Sequence, residues 1–374
     1  MPDVPASGRA FAEAVGPVLA APGEPAPLAG IACCADLPER EGLGPPLEEE
    51  FAAGHLLDGR FLILEPIGRS ATATIYRAED RAHGGRSVAV KVLLRRIESD
   101  PVSFGRFERE ARIGEALDDP RLLRFIPAPG PKSRPYFVTE FVDGCTLALV
   151  LHLTRPVPEG DALRIASAVC GALGRMHADG FIHRDIKPAN VMVRRDGTLC
   201  LMDFGLAAEI DKGPGILAGL TPLFGTPEYM APEQVRNRRN DQRTDIYSLG
   251  VILFQMLTGV LPFVDLDPWA AAQMRVTGDP VAPRSLNPAI TPEAQEIVLR
   301  AMRRNPDERY QTAAEFHAAL DAPERVHVTG LSGRLKAPSW RLSLHGTPLL
   351  SGALIGAGVL LMLVGLFLVI SRHR

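Results

Sequence analysis

His183-Arg184-Asp185-Ile186-Lys187-Pro188-Ala189-Asn190 brings an acid, an ammonium group and an amide into one short stretch. Thirteen residues after Asn190 stands Asp203-Phe204-Gly205. Upstream, Val88-Ala89-Val90-Lys91 lies in a run with strand character, and downstream Ala231-Pro232-Glu233 closes the segment that begins at Asp203. In this order the groups suit phosphoryl transfer. That chemistry needs little covalent help: phosphates must be held, charge neutralised, metal ions placed and a hydroxyl aimed. Carboxylate and amide oxygens are the hard donors that Mg²⁺ prefers. One Asp-Phe-Gly alone would read as a turn; several motifs in order with these gaps are specific.

The ordered set resembles the eukaryotic-type (Hanks-type) Ser/Thr protein kinases of bacteria that carry a C-terminal membrane anchor. The similarity covers roughly Leu56 to Leu320. It implies an α+β, two-lobed protein-kinase fold, with a small β-rich N-lobe and a larger helical C-lobe, plus one C-terminal transmembrane helix. By the same resemblance Asp185 would accept or orient the proton of the substrate hydroxyl, and Asn190 and Asp203 would hold Mg²⁺ (or Mn²⁺). Lys187 would touch the γ-phosphate of ATP, and Lys91 would grip its α- and β-phosphates. Glu110, in Phe107-Glu108-Arg109-Glu110-Ala111, takes the place of the acid that pairs with Lys91. Glu108 is the competing choice, and its spacing points it to another face of the helix. Thr226, in Gly225-Thr226-Pro227-Glu228-Tyr229, would bond Asp185 and Lys187. Ile67, Gly68 and Ser70 belong to the phosphate-covering loop. Ile75, Ala89 and Met192 would sandwich adenine, with Glu140 and Val142 at its edge and Thr139 bounding the back of the pocket. Glu233 is expected to pair with Arg309, and Asp245 to hold the catalytic loop's backbone. Lys187 and the Gly225–Tyr229 segment point to Ser/Thr hydroxyls of protein substrates.

The chain departs from the family pattern in two places. Only the first glycine of G-x-G-x-x-G-x-V survives in Gly68-Arg69-Ser70-Ala71-Thr72-Ala73-Thr74-Ile75. Ser70 and Ala73 add Cβ atoms where backbone must approach phosphate, which predicts weaker ATP binding or slower turnover. This leaves a second reading: a membrane-bound pseudokinase that binds nucleotide and acts as a scaffold. A third, a small-molecule phosphotransferase, is disfavoured by the Gly225–Glu233 segment. Gly114, four residues after Glu110, is a mid-helix glycine costing about 1 kcal/mol relative to Ala. By family analogy it stacks under Phe204 and His183, and so small a residue predicts a loosely held helix. Between Phe204 and Gly225 the only hydroxyl is Thr221, which makes it the expected autophosphorylation site. Arg184, next to Asp185, would receive that phosphate.

The elements that must position these residues divide the chain unevenly. Residues 1–55 carry 9 acidic and 2 basic residues and read as a disordered Ala/Pro/Gly-rich leader. Residues 56–320 form the catalytic body. Runs rich in Val, Ile, Phe and Tyr predict strands over Phe61–Pro66, Thr74–Glu79, Ser87–Leu94 and Tyr136–Val142, with a helix at Ser103–Leu117. Leu163, Ala166, Val169, Cys170, Leu173 and Met176 recur at helical spacing, while Asp245–Thr258 is apolar almost all round and predicts a helix buried on every side. Residues 321–348 read as a basic juxtamembrane linker. Residues 349–370 hold no charge and span about 33 Å as a helix, enough for a bilayer core. A short tail, 371–374, follows, giving a single-pass, tail-anchored protein with a cytoplasmic catalytic domain. Gly352 and Gly356 offer a G-x-x-x-G face for a homodimer. Arg325, Arg334, Lys336 and Arg341 suit membrane lipids.

Bulk composition excludes several classes. With 46% hydrophobic and 23% charged residues, disorder along the whole chain is ruled out. A net charge of −3 argues against a nucleic-acid partner. Five cysteines in so long a chain make no disulfide scaffold.

Overall fold

The computed structural model describes residues 51–209, 227–236, 241–265 and 267–338. Alternation builds the N-terminal lobe. Strands β1 (Leu56–Leu57), β2 (Phe61–Arg69), β3 (Ala73–Asp80), β4 (Arg86–Leu93), β5 (Phe125–Ile126) and β6 (Tyr136–Glu140) form one antiparallel sheet in the order β1-β2-β3-β4-β6-β5. Their inward residues, among them Phe61, Ile63, Tyr76, Val88, Val90 and Val138, make one apolar cluster. The register sets Lys91 opposite Ile75 on one side and Phe137 on the other. The four strands and the helix expected here are present, the helix as α2 (Pro101–Ala116), after a short turn of helix α1 (Arg95–Glu98). Asp100 starts α2: its carboxylate accepts from the Val102 and Ser103 amides, and Pro101 fills a position where no N–H is needed.

The second lobe is helical around α4 (Glu159–Ala178) and α6 (Arg243–Thr258), and also holds α3 (Leu147–Leu153), α5 (Pro232–Val235), α7 (Pro268–Thr277), α8 (Pro283–Leu286), α9 (Pro292–Ala301) and α10 (Ala313–Asp321). Every residue of α6 from Thr244 to Phe254 is buried, as its unbroken apolar character requires. Between the lobes lies a three-stranded sheet, β7 (Gly144–Thr146), β9 (Val191–Arg194) and β10 (Leu199–Leu201), in the order β10-β9-β7. The pair β8 (Phe181–Ile182) and β11 (Ala208–Glu209) flanks the catalytic loop on either side in sequence.

The fold reaches beyond both boundaries expected from composition. Residues 51–55, assigned above to the leader, dock on the sheet: the Gly54 amide donates to the Ile63 carbonyl at 2.8 Å, and the Phe51 amide donates to the Tyr76 hydroxyl. Residues 322–338, read above as linker, run along the helical lobe. The Lys336 amide donates to Asp279, and the Thr329 and Leu331 amides donate to Glu296. Composition does not reveal this, because backbone groups make the bonds and distant acids accept them. Among the described residues, no helix is long and apolar enough to cross a membrane. The 349–370 span and its Gly352 and Gly356 lie outside them.

Candidate active site

The Lys91 ammonium on β4 meets both carboxylate oxygens of Glu110 on α2, at 2.7 and 2.8 Å. Glu108, the competing acid, is exposed. Burial opposes the charge on Lys91, but the Glu110 and Asp203 carboxylates outweigh it and hold its pKa above the ordinary lysine value. One ammonium thus serves two acids. Glu110 takes the weaker share: burial, opposed by Lys91 and reinforced by Asp203, pushes its carboxyl up to about 7.

The catalytic loop gathers three of the expected residues. The Lys187 ammonium lies 2.7 Å from Asp185 Oδ2, and the Asn190 amide donates to the same oxygen at 3.1 Å and to the Asp185 carbonyl at 2.9 Å. Because its nitrogen is spent on Asp185, Asn190 keeps its oxygen for a cation. Asp203 has φ +66°, in the left-handed region, and its Oδ1 accepts from the Gly205 amide at 3.2 Å. Burial would raise its pKa, but Lys91 and then the Gly205 N–H outweigh it, so Asp203 stays an anion. Two hard oxygen donors of this kind suit Mg²⁺, whose remaining positions are commonly filled by water and phosphate oxygens. Among the described residues, no group of three or more His, Cys, Asp or Glu could hold a metal without such help.

Asp245, fully buried at the start of α6, fixes the loop from below. It accepts from the His183 amide at 2.9 Å, the Arg184 amide at 2.8 Å and the His177 ring at 2.8 Å. Arg184 also sits at positive φ, +68°, a conformation costing on the order of 1–3 kcal/mol that these bonds sustain. Glu233 pairs with Arg309 through two bonds of 2.7 and 2.8 Å, and Thr244 donates to it as well.

Of the residues expected to line the ATP slot, Ile67 and Gly68 lie on β2, Ile75 on β3, Ala89 on β4 and Met192 on β9, all partly buried. Glu140 ends β6, with Val142 two residues on. The Glu140 carboxylate is held by Arg194 at 2.8 Å, and the Glu140 amide donates to the Arg124 carbonyl at 2.9 Å. Thr139 is buried beside them. Thr221 and Thr226 lie outside the described residues.

Three features escape sequence reasoning. The Ser70 hydroxyl knits its own loop: it accepts from the Ala73 amide at 2.9 Å and donates to the Ala73 carbonyl at 3.2 Å. Gly114 does not leave a gap. A Cβ there would fall 2.0 Å from the Phe125 ring, which fills the space and continues to Phe204 at 6.0 Å and thence to His183 at 5.9 Å. The loosely held helix expected above is therefore replaced by a packed one. Gln234 bridges two segments, donating to the Arg184 carbonyl and accepting from the Ala231 amide. The roles of Gly114 and Gln234 rest on contacts between segments far apart in sequence, and that of Ser70 on a local side-chain turn.

The family model of the protein kinase domain matches residues 61–320. The chain belongs to the protein kinase family. The chain is 38% identical over 298 residues to the serine/threonine-protein kinase PknB of Mycolicibacterium smegmatis, covering 76% of this chain and 47% of that protein. It is also 38% identical over 288 residues to the probable serine/threonine-protein kinase SCO3848 of Streptomyces coelicolor (75% and 43%). Against serine/threonine-protein kinase Pkn1 of Myxococcus xanthus the identity is 36% over 295 residues (78% and 42%). The chain thus spans less than half the length of the curated relatives it matches.

Proposed function

We propose that this kinase transfers the γ-phosphate of ATP to Ser and Thr hydroxyls of protein substrates. The observation that carries the reading is the meeting of Asp185, Lys187 and Asn190 at one carboxylate oxygen, in a chain that also holds Asp203 as an anion beside the Lys91–Glu110 pair. Asp185 would receive the substrate hydroxyl as its proton leaves. The hydroxyl oxygen bonds to the γ-phosphorus, the bridging β–γ bond breaks, and ADP departs. Lys187 would offset charge on the transferred group, and Lys91, fixed by Glu110, would hold the other phosphates. Asn190 and Asp203 would hold Mg²⁺, which would supply charge neutralisation across the phosphates. Thr226 would buttress Asp185 and Lys187. Ile67, Gly68, Ser70, Ile75, Ala89, Met192 and the Glu140–Val142 backbone would form the ATP slot. A pseudokinase is not favoured, since Lys91, Glu110, Asp185, Asn190 and Asp203 are all in place. The test is transfer of labelled phosphate to a generic protein: wild type labels it, Asp185→Asn does not, and equal labelling by both would sink the proposal.

Autophosphorylation at Thr221 extends the reading. Arg109 lies near both Arg184 and Arg106: burial, opposed by Asp245 and reinforced by Arg109, lowers the pKa of Arg184, and burial and then Arg109 lower that of Arg106. The Arg184 Nε is buried without a hydrogen-bond partner. A phosphate delivered there would relieve both conditions. The uncharged 349–370 stretch supports membrane anchoring with the kinase domain on the ATP-containing, cytoplasmic side, Gly352 and Gly356 as a dimer face and anionic lipids as neighbours of the basic tail.

A further inference from the structure

Residues 322–338 are fastened to the helical lobe by two acids that are nearly fully buried. Glu296, on α9, is 4% exposed and accepts from the Thr329 amide at 3.0 Å, from the Thr329 hydroxyl, and from the Leu331 amide at 3.2 Å. Asp279 is 6% exposed; it accepts from the Lys336 amide at 3.0 Å and from Arg304 at 2.9 Å, while its own amide donates to the Lys336 carbonyl at 2.7 Å. The approach is close: a Cβ on Gly278 would stand 2.3 Å from Pro338. Little apolar surface helps, since Val326 alone of this strap packs against the core, and only partly buried. A segment held chiefly by a few polar bonds opens at low local cost.

We propose that Thr329 is a phosphorylation site that releases this strap. Thr329 is exposed, and its hydroxyl donates its hydrogen to a carboxylate that solvent scarcely reaches. When the strap opens, the Thr329 oxygen of one copy bonds to the γ-phosphorus of ATP in another, the β–γ bridging bond breaks, ADP leaves and the hydroxyl proton passes to Asp185. The modified side chain carries about two negative charges and has no hydrogen left to donate. Set against the Glu296 carboxylate it is repelled, and re-closure would hold two like charges side by side. Arg334 does not rescue the closed state. Its guanidinium touches the Thr329 carbonyl and hydroxyl at 3.1 and 3.0 Å, but it belongs to the strap, so it travels with the phosphate and adds nothing between strap and lobe.

This inference rests on the kinase reading, and the experiment separates the two. The full chain in detergent micelles is incubated with Mg·ATP and a generic substrate protein, phosphopeptides are mapped, and amide exchange is followed at Thr329, Leu331 and Lys336. Phosphate at Thr329 with exchange faster by roughly tenfold or more is expected, the scale of a lost charge-assisted hydrogen bond. Thr329→Glu reproduces the fast exchange without ATP. Thr329→Val, which keeps both amide bonds to Glu296, exchanges slowly and ignores ATP. Labelling of the generic protein with Thr329 never modified, or Thr329 modified with exchange unchanged, overturns the proposal while leaving the kinase reading intact. If the generic protein stays unlabelled, the kinase reading falls, and unchanged exchange in Thr329→Glu would then overturn the strap's release as well.

Discussion

Ser70 replaces a glycine where a phosphate-covering loop needs backbone freedom, yet its hydroxyl makes the loop's own turn. Losing one such bond costs about 1 kcal/mol, so Ser70→Ala is expected to raise the KM for ATP about fivefold with kcat little changed. Initial-rate kinetics over ATP concentration check this, and a fall in kcat alone would contradict it. Asp245 acts from further away. Asp245→Asn replaces one of two oxygens that hold the His183, Arg184 and His177 donors, leaving Arg184 at positive φ with less support. A drop in kcat on the order of 100-fold is expected, with about 3 kcal/mol of lost stability, readable together from activity and urea unfolding. Asp185, Lys187, Asn190 and Asp203 were legible in the sequence because they sit in contiguous motifs. The contribution of Ser70 was not, because a Cβ counts against a close approach until the hydrogen bonds it brings are seen.

Helix α2 reaches the site through rings rather than through its own side chain at Gly114. Phe125 occupies the space that a larger residue at 114 would claim and stands in line with Phe137, Phe204 and His183. Gly114→Ala gains about 1 kcal/mol of helix propensity but drives a methyl into a buried ring, and overpacking of that kind costs about 1–3 kcal/mol. Net destabilisation and reduced activity are expected. Phe125→Leu in the same chain should restore the melting temperature relative to Gly114→Ala alone; two independent, additive losses would disprove the volume exchange. The strands β2, β3, β4 and β6 and the helices α2, α4 and α6 were readable from period and propensity. Short elements such as β5, which carries Phe125, were not, because two residues show no period. The strap of residues 322–338 escaped for a different reason: its anchors, Glu296 and Asp279, precede it by dozens of residues and look like ordinary surface acids until their burial is known.

For the whole molecule, the shifted acids pull stability in opposite directions along the pH scale. Asp80, Asp241 and Asp245 have folded pKa values below the ordinary 3.8, Asp80 chiefly through Arg60, Asp241 through Arg243 and Asp245 through His177, the last two against opposing burial. Their stabilisation is present above that value and is lost as pH falls through the lower folded values. Glu110 has the opposite sign. Its carboxyl is pushed from 4.5 up to about 7, so its contribution is full below the lower figure and is lost as pH rises through the higher one. Yet the ion pair with Lys91 needs Glu110 ionised. In the nucleotide-free protein the urea midpoint should therefore fall between pH 5 and pH 7.5 relative to Glu110→Gln, over the same window in which wild-type activity rises. The Gln variant, unable to ionise, should show neither the relative fall in midpoint nor the wild-type level of activity. Parallel midpoint curves for the two proteins would mean that Lys91 alone keeps Glu110 charged and that Asp203 places no strain on the pair.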